Sequence, residues 1–145
     1  GWQRFCTWFD YQSWYPLGRP VGTTIYPGLQ VTAVFLKNHL FPHLSLNDVC
    51  CTMPAWCGAV ASAFVGLLAH EGATAGRRGQ HPYAAPECGV AAAAVMAVVP
   101  AHLKRSMGGA FDNESLALAA LTGTCYLWVR SLRNKRSWGG GAAAG

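Results

Sequence analysis

The feature that most constrains how this chain can fold is residues 49–69, a run of 21 positions without a charged side chain. As an α-helix the run would be about 31 Å long, which matches the hydrocarbon thickness of a bilayer. We therefore predict a membrane-spanning helix, with Asn47 or Asp48 as its cap and with Pro54 tolerated in its first turns. Small residues within 58–63 would let a second helix approach closely. The alternative is a buried helix in the core of a soluble protein.

The composition also points to a membrane. Of 145 residues, 52% are hydrophobic and 12% are charged, about half the charged fraction of an ordinary soluble domain. The length allows one domain. A net charge of +5 suits an anionic membrane surface or a nucleic acid. The aromatic side chains do not interleave with the basic ones, so no nucleic-acid partner is expected. The six cysteines form no C-x-x-C pair, and we predict neither a zinc site nor a disulfide framework.

Two further apolar segments, residues 88–103 and 116–129, are predicted to cross the membrane as well. Both are short, since the 16 residues of the first cover only about 24 Å as a helix. Residues 71–87, before them, are polar and rich in Gly and Pro, which predicts a loop.

The N-terminal third has a different character. Residues 2–26 are rich in aromatic side chains and are interrupted by prolines and glycines, a composition typical of a structured loop at a membrane interface. Residues 26–44 predict an interfacial or partly buried helix, with a short membrane crossing as the alternative.

The distribution of Lys and Arg orients these segments. With three crossings, the loop containing Arg77 and Arg78 lies on the same side as the basic residues within 130–136, and the positive-inside rule makes that side cytoplasmic. The loop at 104–115 then faces the lumenal or external side together with the N-terminal third. The predicted fold class is all-α: a fragment of a polytopic helical membrane protein, with a lumenal loop carrying amphipathic helices at 1–47. Three transmembrane helices occupy 48–130, and a basic, Gly/Ala-rich cytoplasmic tail occupies 131–145.

The loop at 104–115 holds the candidate site. Asp112 and Glu114 are one residue apart, and their carboxylates could close on one hard divalent cation such as Mg²⁺ or Mn²⁺. Lys104 and Arg105 supply the positive charge that a phosphate group needs. Basic residues on the non-cytoplasmic side break the positive-inside rule, which favours a site for metal and phosphate. The alternatives are a solvated turn with an aspartate cap and basic side chains that snorkel from a helix end.

Four blocks of sequence carry a resemblance to a known family. They are W-F-D at 8–10, W-Y-P-L-G-R at 14–19, G-T-T-I-Y-P-G-L at 22–29, and R-S at 105–106 followed by F-D-N-E at 111–114. In identity and order these blocks resemble the eukaryotic catalytic subunit of oligosaccharyltransferase, and the resemblance extends over about residues 8–130. It implies that the chain is an N-terminal fragment of a dolichyl-diphosphooligosaccharide–protein glycosyltransferase.

The resemblance implies a reaction and a place for it. The reaction is transfer of an oligosaccharide from dolichyl pyrophosphate to the Asn of Asn-x-Ser/Thr sequons, which is protein N-glycosylation in the endoplasmic reticulum membrane. The implied partners are that lipid-linked donor, a nascent polypeptide acceptor and the other subunits of the complex. By the resemblance, Asp112 and Glu114 help to hold the catalytic Mn²⁺ or Mg²⁺, and Arg105 lies close to the pyrophosphate of the donor.

Departures from the family pattern limit what this fragment is expected to do. The family's earlier acidic motif would lie before Trp2, and its W-W-D-Y-G segment would lie after the last residue, so the catalytic set is not complete here. We expect the fragment alone to bind metal weakly and to be inactive. Residues 72–86 are longer than the family's usual connection, and residues 139–145 resemble nothing in it. A non-catalytic membrane helical assembly protein remains the alternative function.

Overall fold

A computed structural model of the chain describes residues 1–75 and 84–133. These residues are mostly helical, with one small pair of strands that the sequence did not predict. In chain order the elements are α1 (Trp2–Cys6), β1 (Phe9–Asp10), β2 (Arg19–Pro20), α2 (Val21–Thr24), α3 (Gly28–His39), α4 (Leu46–Ala75), α5 (Ala84–Val98), α6 (Pro100–Ser106) and α7 (Asn113–Arg133). Residues 76–83 of the long connection and the tail at 139–145 lie outside the described residues. So do four of the basic residues used for orientation, Arg77, Arg78, Lys135 and Arg136.

Helix α4 is the centre of the fold, and it begins before and ends after the predicted 49–69 span. Its cap is Ser45, not Asn47 or Asp48 as predicted. The Ser45 Oγ accepts from the Asp48 N–H at 3.1 Å, and Asp48 Oδ2 accepts from the Ser45 hydroxyl at 2.7 Å and from the Ser45 N–H at 3.3 Å. This reciprocal arrangement is a capping box, which satisfies N–H groups that have no partner within the helix.

Helices α5 and α7 both pack along α4. The α4–α5 crossing is made close by two glycines that face each other: a Cβ placed on Gly66 would lie 2.9 Å from the Gly89 carbonyl oxygen, and one placed on Gly89 would lie 2.9 Å from the Gly66 oxygen. At the α4–α7 crossing, Gly123 faces the ring of Phe64. Close packing through small residues was predicted at 58–63. The α4–α5 contact instead uses Gly66, outside that range, and the α4–α7 contact uses Gly123 of α7, whereas Gly58 within the range lies against Ser106 of α6.

The apolar segment predicted to span at 88–103 is not one continuous helix. Helix α5 ends at Val98, Val99 is extended (φ −61°, ψ 123°), and α6 starts at Pro100 with a 66° change of direction. The physical reason is Pro100, which has no N–H to donate to the previous turn and whose ring disfavours helical geometry at Val99.

Helix α3 packs against the first turns of α4. Leu29 and Ala33 of α3 and Met53 of α4 form the buried cluster here, with Pro54 fully buried beside it. The helix predicted within 26–44 is therefore present and partly buried, and it runs from Gly28 to His39.

Before α3, β1 and β2 form a two-residue antiparallel pair in which Phe9 lies opposite Pro20. Several large aromatic side chains in this part remain more than half exposed: Trp2, Trp8, Tyr11, Trp14, Tyr15 and Tyr26.

By length and composition, α4 is the one helix within 1–75 and 84–133 that could cross a membrane by itself, and α5 with α6 would be a second if the bent pair forms one span. Helix α7 has 21 residues but is too polar to qualify. The membrane prediction thus has support for one or two of its three spans.

Candidate functional site

The three residues singled out from the sequence lie together. The Arg105 side chain sits between the two carboxylates, with its Nε 2.6 Å from Glu114 Oε2 and its Nη1 3.6 Å from Asp112 Oδ2. All three side chains are about half exposed, at 45%, 52% and 50% for Arg105, Asp112 and Glu114. Lys104, the other predicted phosphate ligand, is exposed and makes no ion pair with the described residues.

Three elements place these groups. Arg105 is in the last turn of α6, Asp112 ends the loop 107–112, and Glu114 is in the first turn of α7. Asp112 Oδ1 accepts from the N–H of Asn113, the first residue of α7, at 2.7 Å, while its other oxygen faces Arg105. Glu114 gains from the positive end of the same helix dipole.

The loop between the helices is fastened to α4. Gly109 has a positive φ of 88°, which favours glycine, and its N–H donates to the Cys51 carbonyl oxygen at 2.8 Å. This N–H therefore serves an internal contact with α4.

A buried polar group that the sequence analysis missed lies one turn before Arg105. His102 is only 6% exposed, and its Nε2 is 3.2 Å from the Gly58 carbonyl oxygen and 3.3 Å from Ser62 Oγ, both in α4. Ser106 Oγ lies 3.5 Å from both ring nitrogens of His102. The signal was present in the sequence, because a histidine inside an apolar run needs a polar partner when it is buried.

An ion pair joins the other ends of α4 and α7. Arg133 Nη1 lies 2.5 Å from Glu71 Oε2, a pairing that is ionic rather than a well-directed hydrogen bond, and Glu71 is 9% exposed. Glu71, predicted to start a loop, is therefore inside α4 and against α7.

Comparison with known families decides what kind of chain carries this cluster. The family described as "Oligosaccharyl transferase STT3, N-terminal" matches residues 1–143. The chain belongs to the STT3 N-terminal family. Resemblance by sequence blocks and the family match thus agree.

Relatives of this STT3 family member carry consistent names. The chain is 38% identical over 144 residues to the dolichyl-diphosphooligosaccharide-protein glycosyltransferase subunit stt3 of Schizosaccharomyces pombe. The match covers 96% of this chain and 18% of the relative. Identity is 39% over 137 residues to subunit stt-3 of Caenorhabditis elegans, with coverage of 92% and 16%. Identity is 40% over 131 residues to subunit STT3A of Oryza sativa subsp. japonica, and the match covers 88% of this chain and 15% of the relative. The chain spans less than a fifth of the length of these curated relatives.

The carboxylates of this STT3 family member suit a hard cation by donor type. Mg²⁺ and Mn²⁺ take oxygen ligands, and Mg²⁺ is often held by one or two carboxylates together with substrate phosphates. Asp112 and Glu114 provide two carboxylates, and both lie next to the guanidinium of Arg105. In residues 1–75 and 84–133 no group of three or more His, Cys, Asp or Glu side chains is placed to hold a metal ion. The pair therefore supplies two of the oxygen donors that such a cation takes.

Proposed function

We propose that this chain is the N-terminal part of the catalytic subunit of oligosaccharyltransferase, the glycosyltransferase that moves an oligosaccharide from dolichyl pyrophosphate to the Asn of Asn-x-Ser/Thr sequons. The observation that carries the proposal is the membership of the STT3 family over residues 1–143. The grouping of Arg105 with Asp112 and Glu114 supports it from the side of geometry.

In this proposal each of the three side chains has a task. Asp112 and Glu114 hold Mn²⁺ or Mg²⁺, which when bound supplies positive charge against the negative charge of the departing pyrophosphate. Arg105 binds pyrophosphate oxygens through its planar guanidinium. Its Nε and Nη1 contact the carboxylates, while Nη2 makes no ion pair with the described residues. Donors are thus left for an anionic ligand while the side chain stays aligned.

The proposed setting is the endoplasmic reticulum membrane, with the 104–115 loop and residues 1–47 on the lumenal side and three crossings in 48–130. The apolar length of α4 supports one crossing, and the exposed aromatic side chains of the N-terminal third suit a membrane interface. A lipid-embedded donor and a soluble polypeptide acceptor could then meet at one surface. The other proposed partners are the remaining subunits of the complex.

The metal-ligand role is tested in the complete chain by complementation of N-glycosylation. Asp112→Ala should abolish glycosylation and leave membrane insertion and protein level unchanged. The matched control is Glu87→Ala, which removes an exposed carboxylate from the first turn of α5, outside the cluster. Full activity of Asp112→Ala would contradict the metal-ligand role and favour a non-catalytic assembly protein.

The pyrophosphate role is tested by steady-state kinetics with the purified complete chain. Arg105→Ala should raise the KM for the lipid donor about tenfold or more, because a charge-assisted contact of this kind contributes roughly 1.5–3 kcal/mol. The KM for an acceptor peptide should change little. Lys104→Ala is the control, since it removes the adjacent positive charge, which makes no ion pair with the described residues. Equal effects of the two variants would point to general electrostatics in place of a specific contact.

A further inference from the structure

We propose that His102 is a positioning residue that holds Arg105 in place for the lipid pyrophosphate by fastening α6 to α4. The inference rests on the proposed function, because it assigns to Arg105 the task described above. It adds a residue that belongs to none of the sequence blocks behind the resemblance. What points to it is a buried, hydrogen-bonded histidine three residues before the arginine.

The first reason is that α6 depends on tertiary contacts and that His102 makes the buried one. The helix has seven residues, follows a 66° change of direction, and is too short to be stable as a helix without tertiary contacts. His102 is its one buried residue. Any rotation of so short a helix about its axis would move Arg105, in the last turn, away from the carboxylates.

The second reason is the chemistry of the contact. The Nε2–H tautomer of His102 can donate to the carbonyl oxygen of Gly58 and to Ser62 Oγ, while the Ser62 hydroxyl itself donates to that carbonyl at 3.0 Å. A hydrogen bond in apolar surroundings is costly to leave unmade, so the imidazole has one strongly preferred location.

The third reason is that α4 is shaped to receive α6. A Cβ on Gly58 would lie 2.5 Å from the Cβ and Oγ of Ser106, so a glycine is needed for α6 to approach this closely. Ser106 is the residue after Arg105 in the chain. Contact with α4 thus fixes the residue three before Arg105 and the residue directly after it.

The test uses two replacements of His102 in the complete chain. His102→Phe keeps a bulky ring and loses the hydrogen bonds, whereas His102→Gln keeps an N–H donor at a similar distance from the backbone. His102→Phe should raise the KM for the lipid donor about fivefold to tenfold, with the acceptor-peptide KM unchanged, and His102→Gln should stay within about twofold of wild type. Equal losses for both variants, or a loss in the acceptor KM alone, would overturn the proposal.

A double-mutant cycle with Arg105→Ala separates positioning from a general loss of structure. If His102 acts through Arg105, His102→Phe should add nothing to the donor KM of the Arg105→Ala variant. Multiplied effects of the two changes would mean that His102 acts independently of the arginine, which contradicts the proposal.

Hydrogen exchange provides a readout that does not depend on activity. Backbone amides of residues 103–106, which donate within α6, should exchange roughly tenfold faster in His102→Phe and at the wild-type rate in His102→Gln. Unchanged exchange in both variants would overturn the anchoring claim.

If His102→Phe does not accumulate as a folded protein, Ser62→Ala removes one hydrogen-bond partner with a smaller change, and should raise exchange and the donor KM in the same direction. A wild-type chain that exchanges as expected but does not use the lipid donor would refute the proposed function and leave the anchoring intact.

Discussion

Replacing Gly66 by alanine should force α4 and α5 apart at their closest point. The added Cβ would lie 2.9 Å from the Gly89 carbonyl oxygen and 2.9 Å from the Ala93 Cβ, where ordinary contact begins at 3.4 Å. The helices must therefore separate by about 0.5 Å or tilt, since neither obstacle is the end of a flexible side chain.

The expected magnitude combines two effects of opposite sign. Overpacking a tight contact typically costs about 1–3 kcal/mol. Alanine is the better helix former by about 1 kcal/mol, which offsets part of that cost. The net destabilisation of Gly66→Ala is thus expected at about 0–2 kcal/mol, and the steric part alone is obtained by comparison with a glycine that has room.

Gly72 provides that comparison within the same helix, because no described atom lies within 4 Å of a Cβ placed there. Gly72→Ala should be neutral or stabilising. The free energy of unfolding of the purified chain can be measured by SDS titration in mixed micelles, followed by tryptophan fluorescence. Gly66→Ala should be less stable than Gly72→Ala by about 1–3 kcal/mol.

A second glycine makes the test sharper. Gly89→Ala meets the reciprocal obstacle, so one separation of the helices relieves both clashes. The double variant with Gly66→Ala should cost clearly less than the sum of the single changes. Equal stability of Gly66→Ala and Gly72→Ala would refute the close crossing, and strict additivity would show that the two glycines do not share one contact.

Three further predictions follow from local contacts. Ser45→Ala should destabilise α4 by about 1 kcal/mol through loss of its capping box, while Asn47→Ala should have a smaller effect; thermal unfolding compares them. Bonds from the Ser13 hydroxyl and the Gln12 N–H lower the pKa of Asp10, so their stabilising effect should be complete above about pH 5 and lost as the pH falls through the lowered pKa. In Ser13→Ala the pKa of the Asp10 carboxyl, measured by NMR titration, should rise. An unchanged pKa would contradict the role of the Ser13 hydrogen bond. Glu71→Gln should cost no more than about 1 kcal/mol in chemical unfolding, because its partner is nearly half exposed; a larger loss would mean a stronger dependence on that ion pair.

Much of the helical content could be predicted from apolar runs, but the helix ends could not. The α4 span was predicted from 49 to 69, and the helix continues to Ala75, with Glu71 paired to a residue 62 positions later in α7. A distant partner leaves no local pattern. The break at Val99 did have a local signal, which is the proline that follows it. The prediction passed over this signal because residues 88–103 are apolar throughout.

The candidate site divides in the same way. Arg105, Asp112 and Glu114 lie within ten positions of one another, so their meeting across one short loop could be predicted from spacing and from the family resemblance. The contact between α6 and α4 that holds Arg105 in place could not be predicted from the sequence. His102 and Gly58 are 44 residues apart, and only the packing of α6 on α4 brings them together. The β1–β2 pair is two residues per strand, too short to produce an alternating pattern.

The sharp turn between α5 and α6 makes α6 act as a lateral spacer. Its seven residues extend about 10 Å, and at 66° to α5 nearly all of that length is sideways, which is close to the usual distance between two packed helix axes. The length of α6 therefore also sets the direction in which its side chains point. Deleting one residue from α6 ahead of Arg105 would shorten the reach by only about 1.5 Å but would turn the remaining side chains of α6, Arg105 among them, by about 100° relative to α5.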